Sequence, residues 1–410
     1  MRNPIYKQRP VEPNPARFGG ERINDFIVLS EAFSNAYLVE TSAGAVQINT
    51  GMGMEAPVIS ANFRDFSTSP VQALVLTQGH VDHVGGTAYF REQHPGLKVI
   101  AGALNPEHQA YDARLAPFRA GRSAFAFTQK FAAAFEYYKS QDYTNFPAQD
   151  TPQPDVLVED AYVFEVGDTR FEVIAIPGAE TNDSVIVWLP QHKICFTGNL
   201  FGCPFGHFPN LVTIRGDRYR DALVVAEAVK RIRDLEPEMI CYGHHGPVRG
   251  AQLIADELDA LYGAIMHVHD ETVAGMNAGK DVHTLMCDIS LPPELEVGQG
   301  YGKVAWGVRA IWESYAGWFH HRSTTELYAV PASSIHADLV EMAGGTSAVV
   351  QRAEEKAGAG ELIEALHLLD LVPHTSGDAK VLYERIHAAL LEQSDNFWLQ
   401  SWLRHQGGLS

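Results

Sequence analysis

Short apolar runs separated by turn residues fill residues 26–247, and apolar positions at helical spacing take over after Gly250. The runs 26–29, 45–48, 71–77 (broken at Gln72), 171–176, 184–189 and 194–197 are short and rich in β-branched residues, which predicts buried strands. Apolar residues three and four apart predict helices over 87–94 and 217–235. Between them, 105–143 carries Phe125, Phe127, Phe131, Phe135, Tyr137 and Tyr138 and reads as helix covering a site. The stretches 252–278 and 339–403 read as helices alone, with breaks at Gly344-Gly345 and over 373–378. Strands mixed with helices, followed by helices only, predict two architectural units.

With 410 residues and 46% hydrophobic content, the chain is long enough for a large core. Its formal net charge of -19 argues against a nucleic-acid surface, which needs basic groups to neutralise phosphates. An anionic substrate would have to meet a local positive site. The first twenty residues are rich in Pro, Arg and Asn and lack the apolar core of a secretory signal, so the expected location is cytoplasmic. No apolar run reaches the length of a membrane span. Cys195, Cys203, Cys241 and Cys287 form no Cys-x-x-Cys pair and read as reduced, structural thiols.

The most informative polar stretch is Thr77-Gln78-Gly79-His80-Val81-Asp82-His83-Val84-Gly85-Gly86, directly after Ala73-Leu74-Val75-Leu76. Imidazole and carboxylate are what zinc, iron or manganese takes at catalytic sites that leave a position open for water. A loop at the end of a buried strand holds such groups rigidly. A lone histidine there would read as structural; two imidazoles and a carboxylate, with three glycines that let the backbone bend closely around them, favour a metal. Two further strand ends carry candidates. Pro177-Gly178-Ala179-Glu180-Thr181-Asn182-Asp183 presents Glu180, with Asp183 nearby, and Gly243-His244-His245-Gly246 presents His244. Alone, Glu180 reads as a solvated loop carboxylate. Together the loops offer His80, Asp82, His83, Glu180 and His244, a set for one or two metals.

These residues resemble the metallo-β-lactamase superfamily, and within it the alkylsulfatases. The signature His-x-His-x-Asp-His is matched by Gln78-Gly79-His80-Val81-Asp82-His83 except at its first histidine. The branch's Glu after a Pro-Gly turn resembles Glu180, and its last ligand, in a Gly-His loop, resembles His244. His269-Asp270, Leu291-Pro292-Pro293, Tyr301-Gly302 and Tyr315-Ala316-Gly317-Trp318-Phe319 resemble the branch's helical dimerisation domain. The resemblance spans most of 22–405 and implies an α/β fold, a metallo-β-lactamase-like αββα sandwich followed by an all-α domain. The implied division is an N-terminal extension, 1–21, a catalytic domain, 22–250, and a helical domain, 251–410.

Two departures fall on one subsite. Gln78 stands where a ligand imidazole is expected, and an amide oxygen binds such metals more weakly. Gly198, in Phe196-Thr197-Gly198-Asn199, stands where alkylsulfatases carry a bridging Glu. The resemblance leaves Asp82, His83 and His244 as a complete subsite and His80, Glu180 and Gln78 as a depleted one. It implies one firmly bound divalent metal, zinc foremost, with the second left open.

The segment that holds sulfate in alkylsulfatases resembles Asn210-Leu211-Val212-Thr213-Ile214-Arg215-Gly216, which implies substrate-binding roles for Asn210 and Arg215. A planar guanidinium suits a bidentate oxyanion; the competing reading has Arg215 pairing near the next helix start. The expected nucleophile is metal-acidified water, with Asp82 ligating and orienting it and Glu180 as a base where the second metal is missing. The expected substrate is a small molecule with a hydrophobic body and an anionic or polar head, such as a sulfate ester. Two alternatives stay open: another bond (ester, lactone, phosphoester or activated aryl ether) on the same scaffold, and a non-catalytic scaffold with a degraded site. His207, in the aromatic loop 200–209, is a candidate replacement ligand, although a lone loop histidine is more often structural. His267, His269, His283, His320 and His321 read as structural. A homodimer is implied by the resemblance, with Trp306, Trp312, Trp318 and Phe319 as aromatic material for an interface or for ordinary packing.

Overall fold

Strands that are apolar on both faces can be buried only between other layers, and here they stack in two sheets. The computed structural model describes residues 3–202, 204–212 and 214–409; Cys203, and Thr213 of the 210–216 stretch, lie outside the described residues. The first sheet runs in chain order: β1 (Glu21–Arg22), β2 (Ile27–Ser30), β3 (Ala36–Thr41), β4 (Gly44–Ile48), β5 (Val71–Val75), β6 (Lys98–Gly102) and β7 (Val156–Val158). The second contains β8 (Ala161–Val166), β9 (Thr169–Ala175), β10 (Val185–Leu189), β11 (Ile194–Gly198), β12 (Met239–Tyr242) and β13 (Val248–Arg249), also in order. β4, β5, β6 and β7 pair in parallel, with Ala45 opposite Val71 and Ala73 opposite Lys98, whereas β8 to β11 are antiparallel and β11 pairs with β12 in parallel.

The period of two along each strand sorts side chains into layers. In β10, Val185, Val187 and Leu189 enter the core between the sheets, while Ile186 and Trp188 enter the core under the helices Ala222–Asp234 and Ala251–Asn277. In β5, Ala73 and Val75 face the other sheet and Leu74 faces the helix Ala56–Arg64 through Val58, Ile59 and Phe63. The result is a helix, sheet, sheet, helix sandwich. Each fully buried Val or Leu contributes about 1.5–3 kcal/mol by leaving water.

The helix expected over 217–235 begins only at Ala222, because Asp221 caps it: its side chain accepts from the Leu223 and Val224 N–H groups. Residues 217–220 are thereby released into a loop that bears on the site. The expected helical segment 105–143 is two helices, Asn105–Ser123 and Thr128–Ser140, joined by a 3-10 turn, Ala124–Phe127. The strands β3 and β6 went unread in the sequence, one for its polar end Glu40-Thr41 and the other for its small residues.

By compactness the chain forms two units, Met1–Ser314 and Tyr315–Ser410. The helices Ala251–Asn277 and Val282–Asp288 share the core of the second sheet, although the sequence changes character at Gly250. The segment read as an extension is stitched into the first unit: the Ile5 N–H donates to Glu257 (3.1 Å), the Ala16 N–H to Glu55 (2.8 Å), and Arg9 to the Pro247 carbonyl (3.0 Å). The second unit is helical, with Val349, Ala353, Ala365, Leu369, Leu382 and Ile386 in its own core. Its breaks at Gly344, Gly345 and Gly377 take positive φ of 92°, 101° and 65°, which glycine adopts without a Cβ penalty. Among the described residues no helix is long and apolar enough to cross a membrane.

Candidate metal centre

β5 continues through buried Leu76 and Thr77 before the chain turns at Gln78-Gly79. His80, extended at φ -63° and ψ 145°, is the N-cap of the one-turn helix Val81–Val84, which places Asp82 in its first turn and His83 in its last. The end of β12 delivers Gly243 and His244, with His245 at φ 61°. Ligand atoms of Asp82, His83 and His244 all lie within 4.8 Å of one another. Burial pushes both imidazoles down to about 3, with Arg215 adding to the effect on His83 and Asp82 opposing it on His244. Both rings are therefore neutral and each has a lone pair to give. Desolvation raises the Asp82 carboxyl, with His244 and Arg215 acting against it. His244 Nδ1 is buried without a hydrogen-bond partner, a state that costs about 1–3 kcal/mol unless something is bound. Two neutral imidazoles, one carboxylate and a buried orphan nitrogen fit a divalent ion.

A second layer that was not read from the sequence fixes these rings. Ser34 Oγ lies 3.0 Å from His83 Nε2 and 3.1 Å from Nδ1, and donates to the Gly243 carbonyl at 3.2 Å. The Asn35 N–H donates to the same carbonyl (2.7 Å), and its side-chain amide donates to the carbonyls of Tyr242 (3.1 Å) and His245 (2.6 Å). Thr77 donates from both N–H and Oγ1 to Asn49 Oδ1, at 2.9 and 3.0 Å. A fully buried Ser-Asn pair between two apolar strands was the available signal.

Residues 29–244 match the family model of the metallo-beta-lactamase superfamily, more than half of the chain. This chain belongs to the metallo-β-lactamase superfamily. A second family model, alkyl sulfatase dimerisation, matches residues 282–402. Among curated relatives, a linear primary-alkylsulfatase of Pseudomonas sp. is 24% identical over 335 residues, covering 77% of this chain and 62% of that protein. An alkyl/aryl-sulfatase of Saccharomyces cerevisiae is 23% identical over 346 residues, covering 80% of this chain and 53% of its own. The chain thus spans about 60% or less of the length of these relatives. A solved stereoselective inverting sec-alkylsulfatase from Pseudomonas sp. superposes with a TM-score of 0.81 at 21% identity, covering 96% of this chain and 65% of that one, which establishes the shared fold. Divalent metal binding comes with membership of the superfamily.

The other expected superfamily ligands are wired to protein groups. Gln78 Oε1 accepts the Asn199 N–H at 3.1 Å, which turns the amide nitrogen to His80 Nδ1 at 2.7 Å. Both ring nitrogens of His80 are thereby engaged, Nδ1 by Gln78 and Nε2 between Asp217 Oδ2 (3.3 Å) and Arg215. Arg215 Nη2 reaches the same oxygen at 3.3 Å and lies 2.8 Å from His80 Nε2. Burial, reinforced by Arg215, holds the His80 imidazolium well below its ordinary pKa. Glu180 is 3.9 Å from His80 but is bound by Arg220, whose Nη2 donates to Oε1 (2.7 Å), Nε to the Glu180 carbonyl (2.7 Å) and Nη1 to the Asn210 carbonyl (2.8 Å). Burial raises the Glu180 carboxyl against the pull of Arg220 and Arg215. Gln78 thus presents an N–H, both nitrogens of His80 are engaged and Glu180 is ion-paired through Oε1, with Oε2 buried and unpartnered. Gly198 completes the departure: at φ 57°, a Cβ there would stand 2.6 Å from Thr77 Oγ1 and 3.1 Å from Gln78 Oε1.

Asp217 and Arg220, both missed in the sequence, organise the charge. Burial alone would raise the Asp217 carboxyl, but His80, Arg215 and Arg220 hold it well below the usual range. Burial opposes the Arg215 charge, yet Asp217, Tyr301, Glu180 and Asp82 hold its pKa above the ordinary value. Arg215 Nε and Asn210 Oδ1 are buried without partners. The helix Asn105–Ser123 covers the cluster: His108 meets His80 edge-on at 5.5 Å, Gln109 donates to the Gly79 carbonyl (2.7 Å) and Arg122 to the Ile214 carbonyl (3.0 Å). Asp183 is taken up by Asn105 (2.7 Å) and Thr181 (2.6 Å). His207 does not join the ligands as a replacement; its Nδ1 accepts the Gly300 N–H at 3.0 Å and its ring packs against Tyr6.

Proposed function

We propose that this protein hydrolyses sulfate esters of hydrophobic alcohols with one divalent ion, zinc, held by Asp82, His83 and His244. The observation that carries the reading is Arg215, a guanidinium kept charged beside the imidazole and carboxylate cluster with a buried N–H left unbonded. The names of the relatives, all alkylsulfatases or alkyl/aryl-sulfatases, agree with it.

The chemistry a divalent ion supplies when bound is acidification of water, which yields a nucleophile near neutral pH. With an ion bound, Asp82 would help hold it and would orient that water through its carboxylate. Arg215 offers an oxyanion its Nε and the remaining guanidinium edge, and Asn210 would serve the same head through its amide NH2, the donor end of that side chain. Arg220 ties Asn210 to Glu180, so the groups that bind the head and move the proton share one support. Glu180 Oε2, buried and unpartnered, accepts the proton. His83 and His244, kept neutral by burial, hold their lone pairs in place.

We also assign a homodimer to the second unit. Trp318 (70% exposed), Tyr328 (72%) and Met342 (84%) are large apolar side chains in water that an interface with a second copy would cover. The dimerisation family model over 282–402 agrees.

Turnover measured on a panel of alkyl sulfates, aryl esters, lactones and activated aryl ethers, with and without chelator, tests the activity. Alkyl sulfate hydrolysis abolished by chelator and restored by zinc is the expected result. Chelator-insensitive turnover, or preference for another bond, overturns it.

A further inference from the structure

We propose that the second metal of this architecture is replaced by protein cations: Arg215 and Arg220 occupy, electrically, the place of an ion that Gln78, His80 and Glu180 would otherwise hold. The inference deepens the reading of Asp82, His83 and His244 as a single-metal site and rests on it.

Three observations converge. First, most of the donor set is engaged. His80 meets Gln78 at Nδ1 and Arg215 and Asp217 at Nε2, and Glu180 Oε1 accepts from Arg220 at 2.7 Å, which leaves Glu180 Oε2 as its unpartnered atom. Coordination at His80 would have to displace a neighbour from a ring nitrogen, and an ion at Glu180 would stand against the Arg220 guanidinium already bound to the same carboxylate. Second, the amide of Gln78 cannot turn its oxygen inward without facing its NH2 group against the Asn199 N–H that it now accepts. The Gly198 position that brings Asn199 to this carbonyl is also the position that lacks a bridging carboxylate, so the two departures form one arrangement.

Third, the carboxylates of this subsite already have protein counter-cations: Arg220 pairs with Glu180 at 2.7 Å, and Arg215 and Arg119 reach Asp217 at 3.3 and 3.5 Å. A second divalent ion would add two charges to a cluster already paired. Uncompensated charge in a desolvated site is costly.

Arg220 is a positioning residue here. All three of its bonded nitrogens are committed to Glu180 and Asn210, and its side chain is only 5% exposed. Arg215, with 22% of its side chain exposed and a bare Nε, keeps capacity for a ligand.

The test is metal content per chain, by elemental mass spectrometry and native mass spectrometry, after equilibration with excess zinc and gel filtration. Wild type should retain one ion. His80→Ala and Glu180→Gln should still retain one, since neither residue is a ligand, whereas Asp82→Ala and His244→Ala should retain none. Two ions in wild type with one lost in Glu180→Gln, or no ion in wild type, overturns the proposal. A wild type that holds one ion and hydrolyses no sulfate ester defeats the functional reading but not this one. A wild type that holds two defeats this one whatever it hydrolyses.

Discussion

Placing a side chain at residue 198 should destabilise the first unit, and the cost follows from its geometry. Gly198 has φ 57°, and a Cβ there would sit 2.6 Å from Thr77 Oγ1, 3.0 Å from Thr77 Cβ and 3.1 Å from Gln78 Oε1. The left-handed conformation costs a non-glycine residue about 1–2 kcal/mol. Overpacking a dense core adds about 1–3 kcal/mol. Thr77 cannot yield freely, because both its N–H and its hydroxyl are bonded to Asn49. A unit of 314 residues unfolding with ~2.1 cal/mol/K per residue loses roughly 1.5 °C per kcal/mol. Gly198→Ala should therefore lower the melting temperature by about 3–7 °C, and Gly198→Glu by at least as much. Thermal unfolding followed by circular dichroism measures it. In a double-mutant cycle with Thr77→Ala, the part of the overpacking that comes from Oγ1 should be relieved, while the contacts with Thr77 Cβ and Gln78 Oε1 and the backbone part remain, giving a coupling of about 1 kcal/mol. A Gly198→Ala protein that melts within a degree of wild type, or strict additivity with Thr77→Ala, would refute the reasoning.

Three further outcomes are expected. Arg215→Ala should lower kcat/KM for an alkyl sulfate by about 10- to 150-fold, the value of a charge-assisted hydrogen bond, with Arg215→Lys in between; equal kinetics would remove Arg215 from substrate binding. Glu55, which accepts the Ala16, Phe33 and Met52 N–H groups, has its carboxyl raised by burial from the ordinary 4.5 to about 7. The folded state thus binds the proton more tightly than the unfolded chain, so the stability it contributes is full below the unfolded value and is lost as pH rises through about 7. Urea midpoints at pH 5 and pH 8 should show a loss of up to about 3 kcal/mol in wild type that Glu55→Gln lacks; parallel behaviour of the two proteins would exclude Glu55 as its source. Sedimentation at micromolar concentration should show a dimer that Trp318→Asp with Tyr328→Asp converts to monomer, and a wild-type monomer would contradict the assignment of the second unit.

The sandwich was legible where burial on both faces turns a strand into a continuous apolar run, as in β5 and β10. β3 hid because its last two residues are polar and only half buried. For the site, the residues that carry ligand atoms announce themselves in loops, since a cluster of His and Asp beside glycines interrupts an otherwise apolar strand end at a cost in burial that bound metal would offset. The groups that decide what those ligands can do were invisible, because their partners are remote: Asp217 lies 137 residues from His80, Arg220 lies 40 from Glu180 and Ser34 lies 49 from His83. The helical spacing after residue 217 also concealed Asp217 and Arg220, since the Asp221 cap that starts the helix five residues later reads like any other surface aspartate. Gln78 was visible as an anomaly but not as a donor, because its orientation is set by the backbone of Asn199.

The stitching of the first residues into the sandwich bears on how the protein is made. Ile5 closes onto Glu257, 252 residues away, a loop whose closure entropy is on the order of 5 kcal/mol. Ala16 meets Glu55 soon after it is made, but Ile5 has to wait for Glu257, when nearly the whole first unit has been synthesised. Its docking is therefore a late, non-local step of the slow kind. A chain released early would leave the Glu257 carboxylate without its amide, and a bulky fusion placed directly before Ile5 would delay the same closure.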